Sequence, residues 1–338
     1  MFARSSVKLA DVAKRAGVSV TTVSRVLNRQ KYVKTSTGAR VLRAMKEMRY
    51  YPNLHARSLA GGGSPTIGVI VSNLDNPFFL DIFRKIESLA REQGYEVVLS
   101  ATHYDARRLH ANIKSMIGRR VAGIAAIVSE MEPSIVQELS HAGPPVVFYD
   151  VGQAGKRVTN IKCNYKRGTQ QLVEYLYSLG HRRMVFVAYP ARLQPTEDRR
   201  NAFLETMARH SAPAHIVLPS SDGFVGGREA VRELLGSGFA PTAILCVNDI
   251  TAVGVLKELR ERSIIVPEKM SVTGFDDISL SQFTIPSLTT IHIPRDQIGL
   301  LAFESLVSAR SGGPAQGREI QIDPELIVRQ STGPRSGT

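Results

Sequence analysis

Cysteine is nearly absent from this 338-residue chain: Cys163 and Cys246 are the two, and they stand far apart. A disulfide framework is therefore not expected, and a reducing compartment, the cytoplasm, is. No run of about 18 apolar residues exists to cross a bilayer, so no membrane association is expected. The opening residues, MFARSSVKLADVAKR, lack the apolar core of a secretory signal. The eight histidines show no metal-ligand spacing to cysteine or carboxylate, so neither metal nor cofactor is expected. No Gly-x-Gly-x-x-Gly follows the first apolar run, and no Ser/His/Asp set or glutamate pair stands out. Gly152-Gln153-Ala154-Gly155-Lys156 has the wrong glycine spacing for a phosphate loop, and no Ser or Thr follows the lysine. An enzyme is not expected.

Acidic residues are also scarce, but only at one end. Residues 1–60 hold thirteen Lys and Arg against Asp11 and Glu47, a net +11. The other 278 residues carry only +2 of the total +13. A basic head on a nearly neutral body is the electrostatic footprint of a phosphate-binding module.

Within that head, Leu9, Val12, Ala13 and Ala16 recur at helical spacing and predict a first amphipathic helix. Gly17 supplies a turn that needs positive φ. Ser19 is a candidate N-cap for a second helix whose inner face is Val23, Val26 and Leu27. Its outer face carries Thr21, Thr22, Ser24, Arg25 and Asn28, groups able to reach base edges in a DNA major groove. The competing reading is a helical hairpin with a solvated polar face. A third helix is predicted from about Ser36 to Met48, with Val41, Leu42, Met45 and Met48 closing a three-helix core. Tyr50-Tyr51-Pro52 ends that pattern, and Asn53–Ala60 could form a two-turn helix capped by Asn53, too short to persist alone. Gly61-Gly62-Gly63-Ser64-Pro65 is a linker.

From Thr66 onward, apolar β-branched runs alternate with amphipathic helices. TIGVIVS, YEVVLSA, VAGIAAIV and PPVVFYD form one series, and RRMVFVAY, HIVLP, TAILCVN and MSVTGFD a second. They show no clean period of two, as for parallel strands buried on both faces. Two parallel sheets with a cleft between them are predicted. Ligands in open α/β sheets bind beyond the carboxyl ends of strands, which selects Ser72, Asn73, Asp150, Asn248, Asp249, Asp276 and Asp277. Phe78 or Phe79, and Phe224, could offer an apolar face to a ring, or could equally be helix core. The acids could instead cap the following helices, and Asp249 is the one expected to do so.

The head, the short helix and the following TIGVIVSNLDNPFF resemble the LacI/GalR family of bacterial transcription regulators, from about Lys8 to Gln330. The resemblance implies an α/β chain with a helix-turn-helix headpiece (1–52), a hinge helix and linker (53–65) and a two-lobed, periplasmic-binding-protein-like body (66–338). Chain crossings between lobes fall near Asn160, His292 and Ile322. The N-lobe would comprise about 66–160 and 293–321, and the C-lobe about 161–291 and 322–332. It implies base reading by Val20, Thr21 and Arg25, and backbone contacts from Ser19, Thr22, Ser24, Asn28, Tyr50 and Asn53. Leu59 stands where the family's minor-groove wedge stands; its alternative is packing onto the body.

By the same resemblance, Asp150, Asn248, Asp276 and Arg199 match effector contacts, and Ser72, Phe78 and Phe224 join them as candidates. Ala202 replaces the glycine usual after that arginine, with Arg200 as a neighbouring alternative. Arg49 and Cys163 replace a family glycine and aspartate. The expected partners are double-stranded operator DNA, a second copy of the chain and a small effector, a sugar or sugar derivative. A purine- or corepressor-responsive regulator is the alternative, and a sugar-transport protein a more distant one. Effector binding would alter lobe closure and a dimer face near residues 70–90.

Overall fold

The computed structural model describes residues 7–27, 33–50, 66–131, 143–189, 193–310 and 317–335. Asn28, Asn53, Leu59 and the whole expected hinge segment lie outside them. The chain divides into two units, residues 1–65 and 66–338.

In the first unit, α1 (Leu9–Ala16) ends at Gly17, whose φ of +62° suits a residue without Cβ. α2 (Val20–Leu27) follows, and the Ser19 hydroxyl accepts the Thr22 N–H at 3.1 Å, as an N-cap does. α3 spans Thr35–Glu47. Val12, Ala13, Ala16, Val23, Val41 and Ala44 form the buried core, with Val26, Leu27, Met45, Met48 and Tyr50 packed around it. Leu42 departs from expectation: it is 59% exposed, and Ala44 takes the inward position. Val41, Ala44, Met45 and Met48 form the inward stripe at helical spacing, and Leu42 lies about 100° off Val41. An Arg15–Glu47 pair at 2.7 Å ties α1 to α3, a surface contact worth under about 1 kcal/mol.

The second unit holds two parallel sheets. The first contains β1 (Thr66–Val71), β2 (Glu96–Ala101), β3 (Gly123–Ile127), β4 (Val146–Tyr149), β5 (Val158–Cys163) and β11 (Glu319–Ile322). Its order is β11-β5-β4-β3-β1-β2. The helices α4 (Pro77–Glu92), α5 (Ala106–Gly118) and α10 (Arg295–Arg310) pack on its faces. The second sheet, in the order β7-β6-β8-β9, contains β6 (Met184–Val187), β7 (Ala214–Val217), β8 (Ala243–Cys246) and β9 (Ser271–Thr273). Its helices are α6 (Tyr165–Ser178), α7 (Gln194–Arg209), α8 (Gly223–Gly236) and α9 (Asp249–Glu261). β1, β3, β4, β6 and β8 are buried almost throughout, which is why no period of two was legible in them.

Three connections join the sheets. β5 remains in the first sheet as far as Cys163 before α6 begins in the second lobe, so the first crossing lies a little beyond Asn160. β10 (Thr290–His292) pairs antiparallel with β12 (Glu325–Ile327), and the other two crossings adjoin these strands. At this hinge the Arg295 guanidinium, on α10, donates to the carbonyls of Asp276 and Asp277, the latter at 2.7 Å, and meets Asp81 of α4 at 3.2 Å. Asp277 is engaged by Arg329 at 2.6 Å and His292 at 2.9 Å. No described helix is long and apolar enough to cross a membrane.

Candidate functional site

The headpiece presents the first turn of α2 outward. Val20 is 46% exposed, and Thr21 and Arg25 are exposed beside it. Burying Val23 at the core turns Thr21 and Arg25, each about 160° from it around the helix, away from the core, while Val20, on the side of Val23, is exposed at the helix start. Ser19 and Thr22 are engaged with each other, hydroxyl to hydroxyl at 2.9 Å. Ser24 is half-buried, and Tyr50 packs against the helical core. All three expected base readers are thus exposed.

In the body, the carboxyl ends of both sheets face a cleft whose cavity is about 30 Å³. From the first lobe, Asn76, Phe78 and Phe79 enter at the start of α4, Tyr104 follows β2, Ser129 follows β3 and Tyr149 ends β4. From the second come Tyr165 on α6, Tyr189 after β6, Leu193, Thr196 and Arg199 around the first turns of α7, Asn248 after β8 and Asp276 after β9. Phe78, Arg199, Asn248 and Asp276 are therefore brought together as expected, and Phe79 joins them.

Three expected contacts do not line this cavity. Ser72 is fully buried; its hydroxyl donates to Glu130 at 2.6 Å and accepts the Ser129 N–H at 2.8 Å. Asp150 lies behind the tyrosines, with one oxygen accepting the Cys163 N–H at 2.7 Å and the other the Tyr165 hydroxyl. Phe224 is 47% exposed at the start of α8, where its backbone packs on Gly254. The expected cap is also corrected. Asn248 caps α9, accepting the Thr251 N–H at 2.9 Å, and its Nδ2 donates to the Tyr189 hydroxyl at 3.2 Å. Asp249 is buried instead among Ser281, Thr290 and the Ile278 N–H, bracing the segment between β9 and β10.

Arg199 is the arginine that turns inward. It is buried, donates to the carbonyls of Pro195 at 3.0 Å and Val247 at 2.8 Å, and lies over the rings of Tyr165 and Phe275. Its neighbour Arg200 pairs with Glu197 along the same helix. Ala202 is buried, so the extra methyl relative to glycine is accommodated. Arg199 Nη1 stands 4.0 Å from the Asp276 carboxylate, and Asn76 of the opposite lobe lines the same cavity. Burial outweighs these partners and pushes Asp276 up to about 8; burial likewise raises Asp150 to about 7.

These raised values carry a sign. A buried carboxyl that holds its proton more tightly when folded contributes stability at low pH, and that contribution is lost as pH rises through the folded value. His181, lowered by burial, works in the opposite sense below about pH 6.5. Between pH 6.5 and 8 the unfolding free energy should therefore fall, by at most about 1.4 kcal/mol per pH unit for each titrating group, and the thermal midpoint with it. Asp276→Asn should flatten that slope. Parallel slopes in both proteins would show that Asp276 is ionised throughout.

Several lining residues escaped the sequence reading although its own rule would have found them. Tyr149 and Tyr189 end the runs VVFYD and VFVAY, at the same strand ends that selected the acids. Tyr104 and Tyr165 carried no such signal, because each lies past its strand in a turn or helix start.

The first unit matches the lacI family of bacterial regulatory proteins over residues 8–53, and residues 173–332 match a periplasmic binding protein-like domain. The ribose operon repressor of Escherichia coli strain K12 is 33% identical over 326 residues, 95% of this chain and 98% of that protein. The repressor PurR of Pasteurella multocida strain Pm70 is 30% identical over 332 residues, covering 96% and 98%. Among solved structures, the Lac repressor dimer bound to operator and the anti-inducer ONPF superposes with a TM-score of 0.82 at 28% identity, covering 97% of this chain and 99% of that one. With a three-helix basic headpiece, a two-lobed parallel-sheet body and relatives that align over nearly its whole length, this chain belongs to the lacI family of bacterial regulatory proteins.

Proposed function

We propose that the chain is a cytoplasmic, sequence-specific transcriptional repressor that binds a palindromic operator as a homodimer and is controlled by a small effector in the interlobe cleft. The observation that carries this reading is the exposure of Val20, Thr21 and Arg25 on α2, in a head of net charge +11. Phosphate contacts from the basic head supply salt-dependent affinity, and base-edge contacts supply selectivity. Asn28, Asn53 and Leu59 are assigned to the DNA contact by their sequence positions alone, Leu59 as a wedge that unstacks one base step. We assign the chain no catalytic step.

Two heads are needed because three readers specify too few base pairs, and a two-fold pair doubles the site. The segment Ser279–Ile285 supports self-association: Phe283 is 78% and Ile285 81% exposed. The Lac repressor, a structural relative, is a dimer on its operator. A monocyclic sugar or sugar derivative is the effector that the cleft favours. Phe78, Phe79 and the tyrosines give it apolar faces, while Arg199, Asn248 and Asp276 meet its hydroxyls. A repressor of the ribose operon among the relatives supports that choice.

Arg25→Ala should relax preference at one base pair of each half-site, a loss of about 1–3 kcal/mol of discrimination, in selection from a randomised duplex pool. Unchanged selectivity would remove Arg25 from the readers.

A further inference from the structure

Two pairs of tyrosines meet across the cleft, each with one ring from either lobe. Tyr149 and Tyr165 place their hydroxyls 3.1 Å apart, and Tyr165 also donates to Asp150. The second pair is Tyr104 and Tyr189, with ring centroids 6.0 Å apart and an interplanar angle of 54°. Sheet order separates the two pairs. The strands that adjoin the hinge, β5 and β11, lie at one edge of the first sheet, and β2 is the opposite edge. Tyr165 follows β5 by two residues, whereas Tyr104 follows β2. The Tyr104–Tyr189 pair therefore stands at the rim of the cleft farthest from the hinge.

Tyr104 is held at that rim by the fold. His103 and Tyr104 have φ of +54° and +60°, a region that side-chain-bearing residues enter only when their surroundings impose it. Backbone bonds from Thr102 to Val71 at 3.0 Å and from His103 to Ser72 at 2.8 Å tie the turn to the end of β1. Beneath it, the buried Glu130 carboxylate accepts from both the Thr102 and Ser72 hydroxyls. The buried Ser72 and Glu130 thus acquire a role as the anchor of Tyr104. Across the gap, Tyr189 is held by Asn248, the cap of α9, at 3.2 Å.

We propose that Tyr104 and Tyr189 are specificity-determining residues that act as a size filter, closing the rim over a monocyclic polyol and excluding a ligand with a second ring. This rests on the cleft being the effector site. Aromatic rings 4.5–7 Å apart are in contact, so the pair leaves no opening for a ring-sized substituent between them. With the rim closed the cavity is only about 30 Å³, far below the range of about 300–1,000 Å³ typical of ligand pockets, so the lobes must part to admit a ring and the rim limits how large a ligand they can close over. Tyr149 and Tyr165 cannot serve this way, because they sit on the hinge side with Asp150 behind them.

The test titrates the full-length protein calorimetrically with free aldopentoses and aldohexoses, and with the phenyl β-glycosides of the same sugars. At least one free sugar should bind, and its phenyl glycoside at least tenfold more weakly. Tyr104→Ala and Tyr189→Ala should bring that ratio to within about threefold, whereas Tyr104→Phe, which keeps the ring, should preserve it. Melting curves without ligand identify any variant that fails to fold, and Tyr189→Ala stands in if Tyr104→Ala does. A wild-type chain that binds both members equally, or a ratio unmoved in the folded alanine variants, overturns the filter and leaves effector binding standing. A wild-type chain that binds no free sugar overturns the sugar-cleft reading and the filter together.

Discussion

A chain lacking residues 1–65 should lose all measurable operator affinity while its affinity for effector stays within about twofold of the full-length protein. The body is a separate compact unit with its own cores, and the headpiece has a core of its own, so each has the packing to fold by itself. It does remove a net +11 of the total +13. Binding to duplex DNA draws on cations that displace condensed counterions, and a body of net +2 has few to offer. Specific complexes of this kind reach about 10⁻⁸–10⁻¹¹ M, so the loss spans several decades in an electrophoretic shift at fixed salt. In the full chain the affinity should also fall steeply with salt, by several counterions' worth of slope. A truncated body that still shifts duplex DNA would refute the division of labour between the two units.

Asp276→Asn should weaken effector binding about a hundredfold and leave operator affinity without effector unchanged, giving a repressor that no longer responds. The carboxylate ends β9 in the cavity wall, 4.0 Å from Arg199 and in reach of Asn76 from the other lobe. It adjoins both lobes as well as the ligand space, so it serves binding and closure at once. Leaving a buried hydrogen-bonding group unsatisfied costs about 1–3 kcal/mol, and the amide offers Arg199 and the ligand a different donor and acceptor set from the carboxyl. Asparagine keeps the shape, which spares the body a cavity and makes calorimetry of the folded variant straightforward. An unaltered effector response would move the site away from Asp276. The two outcomes are separable: the truncation tests who reads DNA, and this substitution tests where the effector is felt. The coupling between the sites is expected at about 1–3 kcal/mol, typical of allosteric linkage.

Much of this molecule was legible in its residues, and particular elements show why. α1 and α2 were readable because Leu9, Val12, Ala13, Ala16 and Val23 follow a 3.6 period and because Gly17 and Ser19 punctuate it, all local properties. The strand ends were readable because short apolar runs stop abruptly at polar residues. Leu42 was misplaced because its apolar character was weighed above its position, which is off the stripe of Val41, Ala44, Met45 and Met48. Asn248 and Asp249 were confused for a related reason: adjacent residues at a helix start differ by about 100° in direction, and only the three-dimensional surroundings choose which one caps.

The sequence by itself determined the domain order, the two parallel sheets and the concentration of positive charge in the head. Each of these is additive along the chain or periodic within a dozen residues. Tertiary structure alone decided which polar residues face the cleft. Ser72 meets Glu130, Asp150 meets Tyr165, and Tyr104 meets Tyr189 through contacts between distant segments, two of them across lobes. A carboxylate at a strand end is free for ligand only if no such partner claims it. That depends on packing between segments whose approach no local pattern encodes.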